Sequence, residues 1–127
     1  ILSLLEGEAA KEAASKAKEK DLNDLDDMHL RLEKAAADRN LDQFFEINVR
    51  FHERIIAIAN NPWMTSVIAD LRKVLKLQRK DSLSRSGRLQ SSLSEHREIL
   101  KALLKRDPIA AEQAMRTHLA RGLEAAK

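Results

Sequence analysis

The hydrophobic positions of this chain recur mostly at spacings of three and four residues, which is the spacing of one face of an α-helix. Residues typical of helix starts divide the pattern: Asp21 is the predicted N-cap of a second segment, and Pro62 and Pro108 are predicted first-turn prolines. Short connections favour antiparallel neighbours, so we predict an all-α, six-helix antiparallel bundle. The predicted helices are residues 2–18, 21–37, 41–60, 62–82, 89–105 and 107–125.

The composition agrees with an all-helical domain. Only three Gly and two Pro occur in 127 residues, which is too little turn chemistry for a β-sandwich, a barrel or a doubly wound sheet. The absence of Cys excludes Cys-ligated zinc, iron–sulfur clusters and thiol nucleophiles. No apolar run approaches the roughly 20 residues of a membrane span, and no signal pattern opens the chain, so we expect a soluble cytoplasmic protein.

Charge is unevenly distributed along the chain, although the net charge is only +3. Residues 1–70 contain 9 basic and 14 acidic residues, whereas residues 71–127 contain 14 and 6. The basic excess after residue 70 would attract an anion, or it forms an ordinary solvated helix face.

The aromatic side chains are concentrated in a short part of the sequence. All four lie within twenty residues, so the third helix and the turn after it are predicted to form the centre of the core. They are Phe44, Phe45, Phe51 and Trp63.

Polar residues interrupt the inward stripes of three predicted helices. Asn48 and His52 lie one turn apart on the third helix, while His96 and His118 take apolar positions on the fifth and sixth. Burying an imidazole with an unmet nitrogen costs about 1–3 kcal/mol, and one divalent ion would satisfy all three histidines together. Three separately satisfied core histidines are the alternative. His29 has no polar companion one turn away and is predicted to be structural or at the surface.

Enzyme motifs are absent or incomplete. His52-Glu53 begins like the zinc-protease helix motif, but Ile56 stands where the second histidine is needed. The residue three before each of the three histidines is apolar, which excludes a di-iron bundle, and no carboxylate in the stripes is available as a general base. We predict a protein that is not an enzyme. A metal-dependent hydrolase and a metal-free helical interaction module are the alternatives.

Several fragments in order resemble the effector-binding C-terminal domain, or FCD domain, of the FadR subfamily of GntR-type bacterial transcription regulators. The likeness covers essentially the whole chain, and its specificity comes from the spacing of the fragments rather than from any one of them. The fragments are Leu4-Leu5-Glu6 with Ala9-Ala10 and Ala13-Ala14, residues 48–55, Ala59-Asn60-Asn61-Pro62, residues 95–100, Arg106-Asp107-Pro108 and residues 114–119.

This resemblance implies a bundle enclosing a small-molecule cavity with a divalent metal, zinc or nickel, on its floor. The implied ligands are Asn48, His52, His96 and His118. The family most often has Asp at the first of these positions, and the neutral carbonyl oxygen of Asn48 is a poorer donor. Because imidazole ligates in its neutral form, metal affinity is expected to fall below roughly pH 6.

The resemblance also implies a function. Residues 1–127 would be the C-terminal ligand-sensing and dimerisation domain of a homodimeric regulator whose N-terminal winged helix-turn-helix, which binds DNA, lies outside this chain. A small carboxylate would occupy the two positions that four protein ligands leave on an octahedral ion. Gln78 and Arg79 on the fourth helix are our candidates for binding its second polar group.

Overall fold

A computed structural model describes the backbone of residues 1–84 and 87–125, and the side chains of these residues except 75–82 and 125. This part of the chain contains six helices and no strands, which confirms the predicted all-α fold. No helix within it combines the length and apolar character needed to cross a membrane. The helices are α1 (Leu2–Lys16), α2 (Glu19–Ala37), α3 (Leu41–Ala59), α4 (Pro62–Ser82), α5 (Arg88–Leu104) and α6 (Pro108–Ala125).

Side-chain caps explain where several helices begin. Asn40 Oδ1 accepts the Gln43 backbone N–H at the start of α3, and Asp107 Oδ1 accepts the Ala110 N–H at the start of α6. The predicted cap at Asp21 is wrong by three residues. Helix α2 already begins at Glu19, and Asp21 reaches back to accept the Lys18 backbone N–H at 2.9 Å.

The first helix is central to the packing. Helix α1 packs mainly against α6 and α3, α5 packs against α6, and α2 packs against α3 and α5. The buried face of α1 consists mainly of glycine and alanine, which allow neighbouring helices to approach closely. At Gly7 an added Cβ would lie 2.6 Å from Cγ of Arg116 on α6, so any larger residue here requires the Arg116 side chain to move. Helix α4 packs less extensively, against α1, α3 and α6.

Two apolar clusters form the core, and on α5 a buried histidine falls between them. The larger cluster contains Phe51 and Ile55 of α3 and Ile99 of α5, whereas the smaller contains Phe44 of α3 and Leu93 of α5. His96 lies between the two clusters on α5. A buried polar side chain on α5 therefore has apolar residues before and after it along the helix.

Three of the four aromatic residues occupy the core as predicted, but Trp63 does not. Phe44, Phe45 and Phe51 are buried, whereas Trp63 is 84% exposed. The buried face of α4 contains Met64 and Ile68. Trp63 immediately precedes Met64, so its side chain is rotated about 100° away from that face.

Candidate metal centre

Three histidines from three helices meet inside the bundle. His52 of α3, His96 of α5 and His118 of α6 are all buried, and one ring nitrogen from each lies within 4.8 Å of the other two. The ring centroids are 5.1 Å apart for His52 and His118 and 4.5 Å apart for His96 and His118. The structure thus brings together the three histidines that the sequence stripes singled out.

His52 is held by a buried carboxylate from α1. Its Nδ1 lies 2.8 Å from Oε1 of Glu6, a residue with no exposed surface. Arg72 of α4 donates from Nε and Nη2 to the two oxygens of the same carboxylate, at 2.7 and 2.8 Å. This bidentate pair supplies the positive charge that a buried carboxylate needs.

His118 is held in the same way from a different side. Its Nδ1 lies 2.7 Å from Oε1 of Glu95, and Arg88 donates from Nη1 and Nη2 to the two Glu95 oxygens at 3.0 Å each. Arg121 adds an ion pair to Glu95 at 3.6 Å. His52 and His118 therefore each contact a different glutamate; Glu6 is paired with one arginine and Glu95 with two.

These contacts determine which ring nitrogens face the centre. An arginine-paired carboxylate accepts hydrogen bonds, so Nδ1 of His52 and Nδ1 of His118 are the donors in these contacts. The Nε2 atoms of the two rings then face each other at 3.2 Å. Two nitrogens about 2.0–2.1 Å from one ion lie roughly 3 Å apart in tetrahedral or octahedral geometry, so this pair suits a shared cation. Carboxylate-held histidines of this kind are typical of metal ligands.

Asn48 lies one turn before His52 on α3 and is buried. Its Oδ1 atom has no hydrogen-bond partner in the part of the chain that the structure describes. A buried carbonyl oxygen without a partner is costly, and an oxygen ligand for a cation is one arrangement that removes this cost. The ligand role of Asn48 stays a prediction.

His29 of α2 is buried but lies apart from the histidine group. Its Nε2 is 3.0 Å from Oε1 of Glu33, one turn along the same helix. Burial is the main cause that lowers the pKa of His29 below its ordinary value, which favours the neutral ring. The predicted structural role agrees with this position.

The two residues predicted to bind an effector, Gln78 and Arg79, lie outside the side chains that the structure describes. Their role stays a prediction. Arg72, about two turns before them on α4, contacts the histidine group through Glu6.

Glu6 and Glu95, the two carboxylates that contact His52 and His118, were not predicted from the sequence. A signal for Glu6 is present, because this residue lies four positions after Leu2 and four before Ala10 on one face of α1, and all three are buried. Glu95 lies seven positions after Arg88, which is two helical turns. Both glutamates are engaged by arginine and Nδ1–H donors, so neither is available as a general base.

Comparison with known sequences identifies one family. The family described as the FCD domain matches residues 1–121. The chain is 32% identical over 120 residues to the HTH-type transcriptional repressor RspR of Escherichia coli K12, and equally to the uncharacterized HTH-type transcriptional regulator YdfH of Shigella flexneri. These alignments cover 94% of the chain and 52% of each relative, so the chain spans about half the length of the curated relatives it matches.

Solved structures agree with the sequence comparison. Streptococcus agalactiae GntR superposes with a TM-score of 0.79 at 25% identity, over 93% of this chain and 52% of that protein. E. coli McbR/YncC superposes with a TM-score of 0.88 at 18% identity, over 98% of this chain and 63% of that protein, which is a likeness of fold. With its six helices and its match over residues 1–121, the chain belongs to the FCD domain family of GntR-type transcription regulators.

Proposed function

We propose that this domain senses a small carboxylate through a divalent metal ion and passes the signal to the DNA-binding part of a bacterial transcription regulator. His52, His96, His118 and Asn48 would hold the ion. The observation that carries the proposal is the 3.2 Å approach of two Nε2 atoms whose Nδ1 partners are both buried, arginine-paired carboxylates. Imidazole ligands favour zinc or nickel, the two metals we propose.

When bound, the ion would supply Lewis-acid positions that accept carboxylate oxygens. The protein residues determine the orientation of the site. Glu6 and Glu95 hold the imidazoles of His52 and His118 by their Nδ1 atoms, and the arginines hold the carboxylates. Asn48 would add a neutral oxygen, so the donor set of three imidazoles and one amide carries no charge of its own. An anionic ligand would complete the neutralisation of a divalent ion.

A sensor fits the site better than an enzyme. The carboxylates beside the histidines are saturated by hydrogen bonds from arginine and Nδ1–H, so they cannot accept a proton from a substrate without losing those contacts. The relatives are transcription regulators. We therefore propose a binding role without catalysis, in the cytoplasm where bacterial DNA lies.

DNA binding would be provided by an N-terminal helix-turn-helix domain outside this chain, and the regulator would act as a homodimer. One exposed face of α4 supports self-association. Trp63, Val67 and Val74 are spaced by four and seven residues and are 84%, 47% and 77% exposed. Sedimentation of this domain tests the surface: Trp63→Ser is expected to produce monomers, while Ile109→Ser, which removes an exposed apolar side chain from α6, leaves the assembly unchanged.

Ligand titration tests the sensor itself. Protein stripped with a chelator and then loaded with zinc or nickel is titrated calorimetrically with citrate, succinate and acetate. We expect saturable binding of at least one carboxylate to the loaded protein, none to the stripped protein, and none to a His118→Ala variant treated with the same metal. Equal binding to loaded and stripped protein would contradict the proposal.

A further inference from the structure

Helix α4 contacts the histidine group through a buried carboxylate. Arg72 of α4 donates from Nε to Oε2 of Glu6 at 2.7 Å and from Nη2 to Oε1 at 2.8 Å. Oε1 of the same carboxylate lies 2.8 Å from Nδ1 of His52. Three helices therefore meet at this carboxylate, because α4 supplies the guanidinium, α1 the glutamate and α3 the imidazole.

The two glutamates that contact histidines differ in the origin of their cations. Glu95 is paired with two arginines, one from its own helix α5 and one from α6. Among the side chains that the structure describes, Arg72 is the one arginine or lysine paired with Glu6, and α4 carries none of the three histidines. Glu6 therefore depends on the packing of α4, whereas Glu95 would keep a cation if either of its arginines were lost.

The arginine determines how Glu6 acts on His52. A carboxylate whose two oxygens receive arginine N–H groups is a hydrogen-bond acceptor, so it holds the imidazole hydrogen on Nδ1. Nε2 is then the ring nitrogen that can offer a lone pair to an ion. Without Arg72 the carboxylate has no cation to keep it in this buried position, and it no longer fixes the hydrogen on Nδ1.

We propose that Arg72 is a positioning residue of the metal site. Through Glu6 it keeps His52 in the tautomer that presents Nε2 to an ion, so the site is complete only while α4 is packed against α1. This role rests on the proposed function, because the tautomer matters only if His52 binds an ion. The tautomer itself can be measured in protein that contains no metal.

Proton–nitrogen NMR of chelator-stripped protein, labelled in the histidine rings, tests the proposal. We expect a slowly exchanging Nδ1–H signal from His52 and another from His118 in the original protein. Arg72→Met is expected to lose the His52 signal and keep the His118 signal, which also shows that this variant is folded. Arg72→Lys, which has a similar length and keeps the charge, is expected to keep both signals, as is the matched control Lys73→Met at an exposed position of α4.

Persistence of the His52 Nδ1–H signal in Arg72→Met would overturn the role of Arg72. If Arg72→Met does not fold, Arg72→Gln takes its place, with the same expected loss and the same contrary outcome.

Zinc affinity, measured in competition with a chelator, connects the tautomer to the metal site. Arg72→Met is expected to bind zinc about 10-fold or more weakly than the original protein, and Arg72→Lys to recover most of this loss. Normal zinc binding by Arg72→Met would overturn the positioning role alone. An original protein that binds no zinc would overturn the metal sensor and the positioning role together.

Discussion

Replacing Glu6 by Gln tests how the bundle holds its buried polar group. The substitution keeps the size of the side chain, so no cavity forms, but it removes the negative charge that Arg72 and His52 share. Glu6 is fully buried and Arg72 is 12% exposed, so the guanidinium has little water to replace its lost partner. The NH₂ group of the new amide would also face N–H donors of Arg72 or His52, whose hydrogen bonds the Glu6 carboxylate now accepts.

Loss of one partner of a buried ion pair costs about 3–5 kcal/mol, and we take about 3 kcal/mol because Arg72 keeps some exposure. For 127 residues the unfolding entropy is about 0.27 kcal/mol/K, so this cost lowers Tm by roughly 10 °C. The assay is urea and thermal unfolding with chelator present, so that metal binding makes no contribution.

Glu8→Gln on the same helix is the control, and its free energy of unfolding is expected to stay within about 0.5 kcal/mol of the original protein. The loss in free energy of unfolding caused by Glu6→Gln should also be smaller in an Arg72→Met background, because both members of the pair are then uncharged. A Glu6→Gln change below about 0.5 kcal/mol, or strict additivity in the double variant, would refute the reasoning.

Three further predictions concern packing, pH and the fourth ligand. Gly7→Leu should lower the free energy of unfolding by about 1–3 kcal/mol in urea titrations, because a Cβ there already meets Arg116; a neutral effect would contradict the close α1–α6 packing. Burial lowers the pKa of His29 in the folded state, so its contribution to stability is present above about pH 6.5 and is lost as pH falls towards the folded-state pKa. The His29→Leu variant should lose less stability than the original protein between pH 7 and pH 5, and equal losses would show that His29 is not responsible. Asn48→Asp should raise zinc affinity about 10-fold in chelator competition and destabilise the metal-free protein; unchanged affinity would remove Asn48 from the ligand set.

Helix positions and the histidine group could be predicted from the sequence because both follow from the periodicity of apolar residues. Every predicted helix is present, with boundaries within about two residues. His52, His96 and His118 each took an apolar position in an inward stripe, and inward stripes on neighbouring helices meet. Trp63 was predicted to lie in the core because three other aromatic residues are close to it in the sequence. Its position on the helix, next to the inward-facing Met64 and Ile68, already indicated an exposed side chain.

The pairing of Glu6 and Glu95 with the histidines could not be derived from local sequence pattern. A glutamate such as Glu6 within an apolar stripe ordinarily argues against burial of that face of the helix. Glu6 is buried because it pairs with Arg72, which lies 66 residues away in the sequence. Arg72 in turn lies in a stretch that contains several other basic residues, among them Lys73 and Lys76. Only the packing of α4 against α1 selects which of these cations is paired with Glu6.

The proposed sensor requires the three histidines to bind a metal ion together, and the metal content of the protein measures this directly. Protein expressed with zinc and nickel in the medium and purified without chelator or a metal column is analysed by mass spectrometry, alongside the His52→Ala, His118→Ala and His29→Ala variants. We predict about one ion per chain in the original protein and in His29→Ala, and less than about 0.1 in the other two. Metal-free original protein whose Tm does not change on adding zinc or nickel would contradict the account.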